Sequence, residues 1–406
     1  MSMIQLADKL NCTGCASCYQ SCPHSAISMI PDEEGFLQPV IDNNKCVECG
    51  LCIKKCPVLT PVSKSIENQT AYALINYKER TISSSGGAFS AFAHYVIDNG
   101  GVVFGATMDN KFQVKHIAIE DENSLSLLRG SKYIQSNIGD CYKQAKTFLQ
   151  DGRLVLFTGT PCQIAGLYAF LGNKRYEDKL ITIDLVCHGV PSQGAFDAYI
   201  EKLKSMPSLR GQNITDFRFR NFDSWDYRPA VKLMSSKWKV LSLIENAYMS
   251  AFFQGLIFRE SCFRCKYCST QRVGTFTIAD FWGIGRHGKK FKKNVSCGVS
   301  LVIDNRNKME IFSNAFKDNI YIEKRSIQEA IAEQSNLKKP IERKKQRDVA
   351  VKALISNDIP LDKFLQICGL QYNEDWKYKI KSLIKNIIYA LGIYNVYKTI
   401  KYKLEK

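Results

Sequence analysis

The sequence predicts an α+β chain: a small cysteine-rich domain, a larger mixed α/β domain, and a helical C-terminal tail. Three observations carry this. Eight cysteines crowd between Cys12 and Cys56; short apolar runs alternate with helical segments from Ala71 to Asp304; and Trp376 to Lys406 alternates Lys with Ile, Leu and Tyr at helical spacing. With 406 residues and 45% hydrophobic content, two or three domains with a sizeable core are expected. The divisions fall at 1–60, 61–347 and 348–406, with Thr60-Pro61-Val62-Ser63-Lys64-Ser65 as the first linker.

In the first domain Cys12, Cys15, Cys18 and Cys22-Pro23 are followed by Cys46, Cys49, Cys52 and Cys56-Pro57, so one spacing occurs twice. This is the two-cluster ferredoxin pattern, in which three thiolates at spacing three hold one 4Fe-4S cluster and the fourth cysteine of each run ligates the other. Cys12, Cys15, Cys18 and Cys56 should hold one cluster, and Cys46, Cys49, Cys52 and Cys22 the second. Structural zinc also takes cysteines in fours, but the duplicated run with its Cys-Pro ends is more than zinc requires.

Sixteen cysteines in all would suit disulfides in a small secreted domain, yet most fall in cluster-like groups. The N-terminus lacks the basic and apolar regions of a signal peptide, which places the protein in the reducing cytoplasm. No apolar run is long enough to span a membrane. The net charge of +17 concentrates at Lys338–Arg347 and Trp376–Lys406; it attracts acidic partners, phosphates or anionic lipid without discrimination. No nucleic-acid partner is expected. The tail is compatible with peripheral membrane contact, although packing on the protein's own surface is the commoner fate of such a helix.

The large domain shows strand signals at Ala71–Tyr77, Gly101–Met108, Leu154–Phe157, Leu180–Val186 and Val299–Asp304. Antiparallel pairing is expected between Thr215–Arg220 and Tyr227–Leu241, so a mixed sheet is favoured over a doubly wound one. Several turns carry chemistry. Ser84, Ser85, Gly86 and Gly87 precede a helix and offer hydroxyls and helix N–H groups to a phosphate or a flavin edge, or simply cap the helix. Lys132 and Tyr133 place a cation and an aromatic beside Gly130. Thr158 and Gly159 end an apolar strand just before Cys162 at a helix start, where α/β folds place ligands and where a thiolate is favoured. Cys187 and His188 end the next strand. Cys262, Cys265 and Cys268 repeat the spacing of three without a near fourth; Cys162, Cys187 and Cys297 are the available thiols, and Cys187 is taken as the ligand because a helix start suits Cys162 to chemistry. Zinc with a distant fourth cysteine stays open here. Asp280 and Trp282 end a further strand, where they would face a flat ring.

The ordered set Ser84–Gly87, Gly130–Tyr133, Thr158–Gln163, Asp184–Ser192, the Cys262 triplet and Asp280–Gly283 resembles the beta subunit family of coenzyme F420 hydrogenase/dehydrogenase, over about residues 1–345. The resemblance implies an iron-sulfur flavoprotein, with FAD on the Ser/Gly segment and a 4Fe-4S cluster near the flavin. Relatives with a fused two-cluster ferredoxin domain include oxidases of the reduced deazaflavin and a plant reductase of a chlorophyll derivative; others sit among bacterial polysaccharide-synthesis proteins. The implied function is an oxidoreductase passing electrons between a deazaflavin, sugar or other small organic substrate and a one-electron partner protein, with Cys162 and His188 in proton transfer and Lys132 on the flavin phosphate or ring. The competing reading is a non-catalytic carrier with a degenerate large domain; a structural or nucleic-acid-associated iron-sulfur role rests on the basic tail alone.

Overall fold

The structure, a computed structural model, describes residues 4–64, 68–172, 176, 178–220, 225, 227–313 and 319–370. The basic stretch Trp376–Lys406 lies outside the described residues. No described helix is long and apolar enough to cross a membrane.

The first domain consists of an antiparallel hairpin, β1 (Ile27–Pro31) and β2 (Leu37–Ile41), with two short helices, α1 (Ser17–Ser21) and α2 (Leu51–Lys54). Its duplicated sequence has a duplicated backbone. Gly14 and Glu48, and then Ala16 and Gly50, occupy equivalent places between the cysteines, and all four have positive φ. Left-handed Ala and Glu cost roughly 1–2 kcal/mol each, which metal binding must offset. The apolar core here is slight: Ile27 with Cys18 and Cys52, backed by Ile4, Leu6, Ile41 and Ile53. Such a domain is held by its metal sites more than by hydrophobic burial.

The large domain carries an eight-stranded mixed sheet built from β3 (Thr70–Asn76), β4 (Val102–Met108), β5 (Val114–Ile119), β6 (Val155–Gly159), β7 (Leu180–Leu185), β11 (Phe276–Asp280), β12 (Ser300–Asp304) and β13 (Ile320–Arg325). The order is β13-β3-β12-β11-β7-β6-β4-β5. The four central strands, β11, β7, β6 and β4, run parallel; the flanking pairs are antiparallel. The mixed sheet expected from the sequence is therefore observed. β6 is buried along its whole length, as a parallel strand covered on both faces must be. Leu156 points to α3 (Ala88–Asp98) in a core with Phe92 and Val96, whereas Val155 and Phe157 pack with α5 (Cys141–Gln150) and α6 (Pro161–Leu171).

A second, three-stranded sheet of β8 (Ile214–Arg218), β9 (Ala230–Leu233) and β10 (Trp238–Val240) shares a third core with α7 (Gln193–Ser205), α8 (Ala247–Phe253), α11 (Arg347–Ile355) and α12 (Leu361–Ile367). The latter two belong by sequence to the stretch read as tail, yet Ala350, Leu354, Phe364 and Leu365 are buried against this core. The remaining helices are α4 (Leu125–Leu128), α9 (Glu310–Ser313) and α10 (Ile327–Ala332).

Two buried arginines fasten the cysteine-rich domain to the sheet domain. Arg259 donates to the Cys12 carbonyl at 2.7 Å, the Leu37 carbonyl at 3.1 Å, Gln38 Oε1 at 2.9 Å and Gln135 Oε1 at 3.0 Å. Arg347 forms a two-pronged pair with Glu34 at 2.5 and 2.7 Å and donates to the Phe258 carbonyl. Arg347→Met strands Glu34 at this interface, so the unfolding midpoint should fall by the equivalent of about 3 kcal/mol; adding Glu34→Gln should recover part of the loss. An unchanged midpoint in denaturant titration would show that the pair does not hold the domains together.

Candidate functional site

The eight N-terminal cysteines divide between two small cavities. One is lined by Cys12, Cys15, Cys18 and Cys56 with Leu6, Met29 and Val58; the other by Cys22, Cys46, Cys49 and Cys52 with Ile4, Ile27 and Ile41. Each run thus gives three thiols to one cavity and its Cys-Pro thiol to the other, the crossing that two-cluster ligation requires. The lining fits the group. Thr13 faces the first cavity and its buried hydroxyl lacks a protein partner, as a donor aimed at a cluster sulfide would. Backbone N–H groups also converge on the sulfurs, with Gly14 N on Cys12 Sγ and Ala26 N on Cys22 Sγ, both at 3.4 Å.

Five further thiols converge in the sheet domain: Cys162, Cys187, Cys262, Cys265 and Cys268. Cys162 lies in the first turn of α6, which is closed by a Thr160/Gln163 capping box with Pro161 at its first position. Cys187 follows the end of β7. The other three sit on the loop before β11, and Arg272 clamps that loop to β7: it donates to Asp184 Oδ1 at 2.7 Å, the Leu185 carbonyl at 2.8 Å and the Tyr267 carbonyl at 2.7 Å. Arg272 and Asp184 are both fully buried. Asp184 also accepts from Gly274 N and Thr277 Oγ1, so neither charge is left without partners. Cys297 lies instead beside Ser296 and Arg80.

Burial pushes the Cys162 thiol up to about 11 and the Cys262 thiol to about 12. Desolvation therefore outweighs the helix start that favours a thiolate at Cys162, and a metal is what would hold these sulfurs as thiolates. Helix α6 also measures the gap to the first domain. Gly166 lies one turn beyond Cys162 on the same face, and a Cβ on it would stand 2.9 Å from the Cys15 Cβ and 3.1 Å from its sulfur. Tyr267 and Ala16 are buried in one core, against which Cys162 and Cys265 pack.

Beside the five thiols opens a cavity of about 470 Å³. Ala106, Thr158, Gly159, Leu185, Val186, Ile278 and Asp280 line it, so it stands at the C-terminal ends of the four parallel strands, where such sheets receive ligands. Ser84, Ser85, Gly87, Lys132, Tyr133, Cys187 and His188 also reach it; Cys162 and Gly86 are not among its walls. Gly86 is glycine for another reason: a Cβ there would lie 2.2 Å from the Leu74 carbonyl and 2.4 Å from Ser300 N.

The polar groups of this wall are pre-arranged. Ser131 N donates to Ser84 Oγ at 3.0 Å, joining the Ser/Gly turn to the Arg129–Lys132 loop. That loop is fixed in turn by Arg129, which donates to Glu79 at 2.6 and 3.1 Å. Hydrogen bonds from His94, Ser90 and Arg129 overcome the burial of Glu79 and bring its carboxyl down to about 2. Burial draws Lys132 down to about 7, against the pull of Asp216. The Lys132 ammonium donates to the carbonyls of Leu127, Leu128 and Arg129, so its protons are directed at the end of α4. Asp280 accepts from Arg220 at 2.7 Å and from Trp225 at 2.5 Å, and Trp225 stacks on Trp282 at 4.6 Å. His188 Nδ1 meets Asn336 Oδ1 at 3.0 Å.

Sequence reasoning missed His116, Ser136, Arg220 and Asn336, which all line the cavity. His116 is fully buried on the cavity floor; its Nε2 donates to the Thr158 carbonyl at 2.8 Å and its Nδ1 accepts from Ser136 Oγ at 2.9 Å. Desolvation brings it down to about 4, so it is neutral at physiological pH. A single histidine between Lys115 and Ile117 in β5 carries no local mark of such a place.

Compared with known proteins, residues 152–330 match the family described as the C terminus of the beta subunit of coenzyme F420 hydrogenase/dehydrogenase. Residues 11–59 match the 4Fe-4S dicluster domain. Among solved structures, the chain is similar to one from the F420-reducing NiFe hydrogenase complex of Methanosarcina barkeri, at 16% identity over 75% of this chain and 91% of that one, with a TM-score of 0.44. No curated protein matches.

Hydrogen bonds to cluster sulfur are one of the protein's levers on reduction potential. Thr13→Val should leave the iron content unchanged and lower the potential of the cluster held by Cys12, Cys15, Cys18 and Cys56, while Thr13→Ser keeps the wild-type value. A redox titration followed by electron paramagnetic resonance measures this; equal potentials in Thr13→Val and wild type would show that the hydroxyl does not serve the cluster.

Proposed function

We propose, for a chain that over residues 152–330 belongs to the coenzyme F420 hydrogenase/dehydrogenase beta subunit family and over residues 11–59 to the 4Fe-4S dicluster family, an iron-sulfur flavoenzyme. It exchanges electrons between a small organic hydride donor or acceptor in the large cavity and a one-electron carrier protein at the cysteine-rich domain. The reduced deazaflavin itself, a sugar or another small organic compound fits this substrate class. The observation that carries the reading is continuity. Cys187 belongs both to the cavity wall and to the five-thiol set, and α6 runs from that set, at Cys162, to contact with Cys15.

The cavity suits a flavin in size and lining, since pockets of about 300–1,000 Å³ accept cofactors and drug-sized ligands. Ser84, Ser85 and Gly87 before α3, with Ser131 bonded to Ser84 and with Thr158 and Gly159 at the end of β6, would hold its polar end, and the Tyr133, Tyr227 and Trp282 rings its flat face. When bound, a flavin trades a hydride with the organic substrate and single electrons with the iron-sulfur sites. Around it, His188 holds a proton on a ring nitrogen, oriented by Asn336. Glu79 and Asp280 fix Arg129 and Arg220, so the wall does not need to reorganise when substrate enters. The sites would follow one another from Cys187 through Cys265 and Cys15 to Cys49, and the last of these is exposed beside the exposed Val47. That edge is the natural docking place for the carrier. Thiolate sites of this kind persist in a reducing compartment, in keeping with a cytoplasmic location.

Anaerobically purified protein should contain one flavin and about twelve irons per chain. Ala106→Phe, which fills the floor of the cavity, should weaken flavin retention at least tenfold at unchanged iron. Iron without flavin in the wild type would favour the simple carrier. Gly166→Val, which parts α6 from Cys15, should leave flavin reduction by the organic substrate intact and slow delivery to a protein carrier at least tenfold; equal delivery rates would sink the proposed path.

A further inference from the structure

The two cavities of the cysteine-rich domain each have four thiols, but a buried charge stands beside one of them. Arg259 is 1% exposed. Its guanidinium donates to the Cys12 carbonyl at 2.7 Å and crosses Gly14 so closely that a Cβ there would stand 2.8 Å from Nη1. Gly14 lines the inner cavity, that of Cys12, Cys15, Cys18 and Cys56, and its own N–H is directed at Cys12 Sγ at 3.4 Å. The four acceptors of Arg259, which are the Cys12 and Leu37 carbonyls and the Gln38 and Gln135 amides, are all neutral. A guanidinium keeps its charge at any working pH, and a buried charge needs an opposite one nearby. A cluster held by four thiolates is such an anion.

The duplicated sequence gives a comparison within one chain. Asp8 and Asp42 stand at equivalent places, their carbonyls accepting from Cys12 N at 2.7 Å and from Cys46 N at 3.0 Å, so their charges weigh on the two cavities alike. The other places differ. Asn11, Thr13 and Gly14 beside the inner cavity correspond to Lys45, Val47 and Glu48 beside the outer one, that of Cys22, Cys46, Cys49 and Cys52. Lys45 and Glu48 are exposed and opposite in sign, so water and salt screen both. The inner cavity therefore has a fixed cation and the unpartnered Thr13 hydroxyl, where the outer one has neither. Net charge, hydrogen bonds to sulfur and solvent exposure set a cluster's potential. Exposure works the other way, since water around Cys49 also favours an added electron. Coulomb attraction, however, grows as the local dielectric falls, so the burial that keeps water from the inner cavity strengthens the pull of Arg259 on an electron there.

We infer that Arg259 sets the order in which the two clusters of the first domain are reduced. One electron given up by the reduced carrier, which is thereby oxidised, comes to rest on the inner cluster and not on the exposed one. The inference rests on the cluster pair of the proposed function and deepens it. The electron is then held where α6 meets Cys15, beside the thiols of the sheet domain and away from the edge at which the carrier docks.

The test uses full-length protein, reconstituted anaerobically, with Cys265→Ala so that about eight irons per chain remain, those of the first domain. Redox titration is followed by electron paramagnetic resonance, with and without a dysprosium chelate in the buffer, which speeds the relaxation of a cluster at the surface and leaves a buried one unaffected. The signal that grows first should be the one the chelate does not touch. Arg259→Gln should lower its midpoint towards the second, and Arg259→Lys, which keeps the charge, should keep most of the separation. Because either variant could fail to fold, the order is read first with Arg259 in place, and that reading stands by itself. Entry of the first electron at the chelate-sensitive cluster, a first midpoint unmoved in Arg259→Gln, or equal falls in the two variants overturns the inference. The flavin and iron content of the wild type, which decide the proposed function, are measured separately, so either can fail without the other.

Discussion

The structure depends on a charge buried where two domains meet. Arg259 is almost wholly excluded from solvent, yet it reaches the Cys12 carbonyl on one side and the surroundings of Cys162 and Cys262 on the other. Desolvating a guanidinium is costly, so this residue is stable there only while the loop that begins at Cys12, the hairpin at Leu37–Gln38 and the Gln135 amide all supply acceptors. It thereby fixes the distance between two groups of cysteines. Gly14 has no side chain where Arg259 passes, since a Cβ would lie 2.8 Å from its terminal nitrogen. The cysteine-rich domain is therefore built into the large domain, and its small apolar core is supplemented by polar anchoring at Arg259, Arg347 and Lys55, whose ammonium donates to the Phe170 carbonyl.

A second buried pair, Arg272 with Asp184, plays the same part inside the sheet domain. It joins the end of β7 to the loop carrying three cysteines, so the parallel pairing of β7 with β11 and the convergence of the thiols are one structural event. The cavity follows from the same topology. Four parallel strands end side by side, and the turns leaving them present Gly159, Cys187 and Asp280 to a common space. Its charged residues are largely committed to one another, Arg129 to Glu79 and Arg220 to Asp280, and Lys132 to carbonyls. Recognition inside the cavity accordingly falls to hydroxyls, backbone N–H groups and aromatic faces, a lining suited to a planar, partly polar ligand.

The sequence by itself determined the parts whose chemistry is local. Ligand spacing within Cys12–Cys56 is set by a few residues of backbone, and it specified both the cluster type and the crossed partition later seen in the two cavities. Strand positions were legible for the same reason: β3, β4, β6, β7 and β12 are mostly apolar runs of strand length between turn residues. The turns with Ser84, Thr158, Cys187 and Asp280 could be picked out because each follows such a run.

What only the tertiary structure decided are relations between distant residues. That Cys162 and Cys187 approach one another depends on the adjacency of β6 and β7, and that the Cys262–Cys268 loop meets them depends on how Arg272 ties it to β7. His116, Arg220 and Arg259 could not be singled out either, because a buried polar side chain is identified by the acceptors that meet it, here contributed from 20 to 247 residues away. Local sequence records which side chains are available; burial and strand order decide which of them face one another, since desolvation energies are fixed only when the surrounding surfaces close.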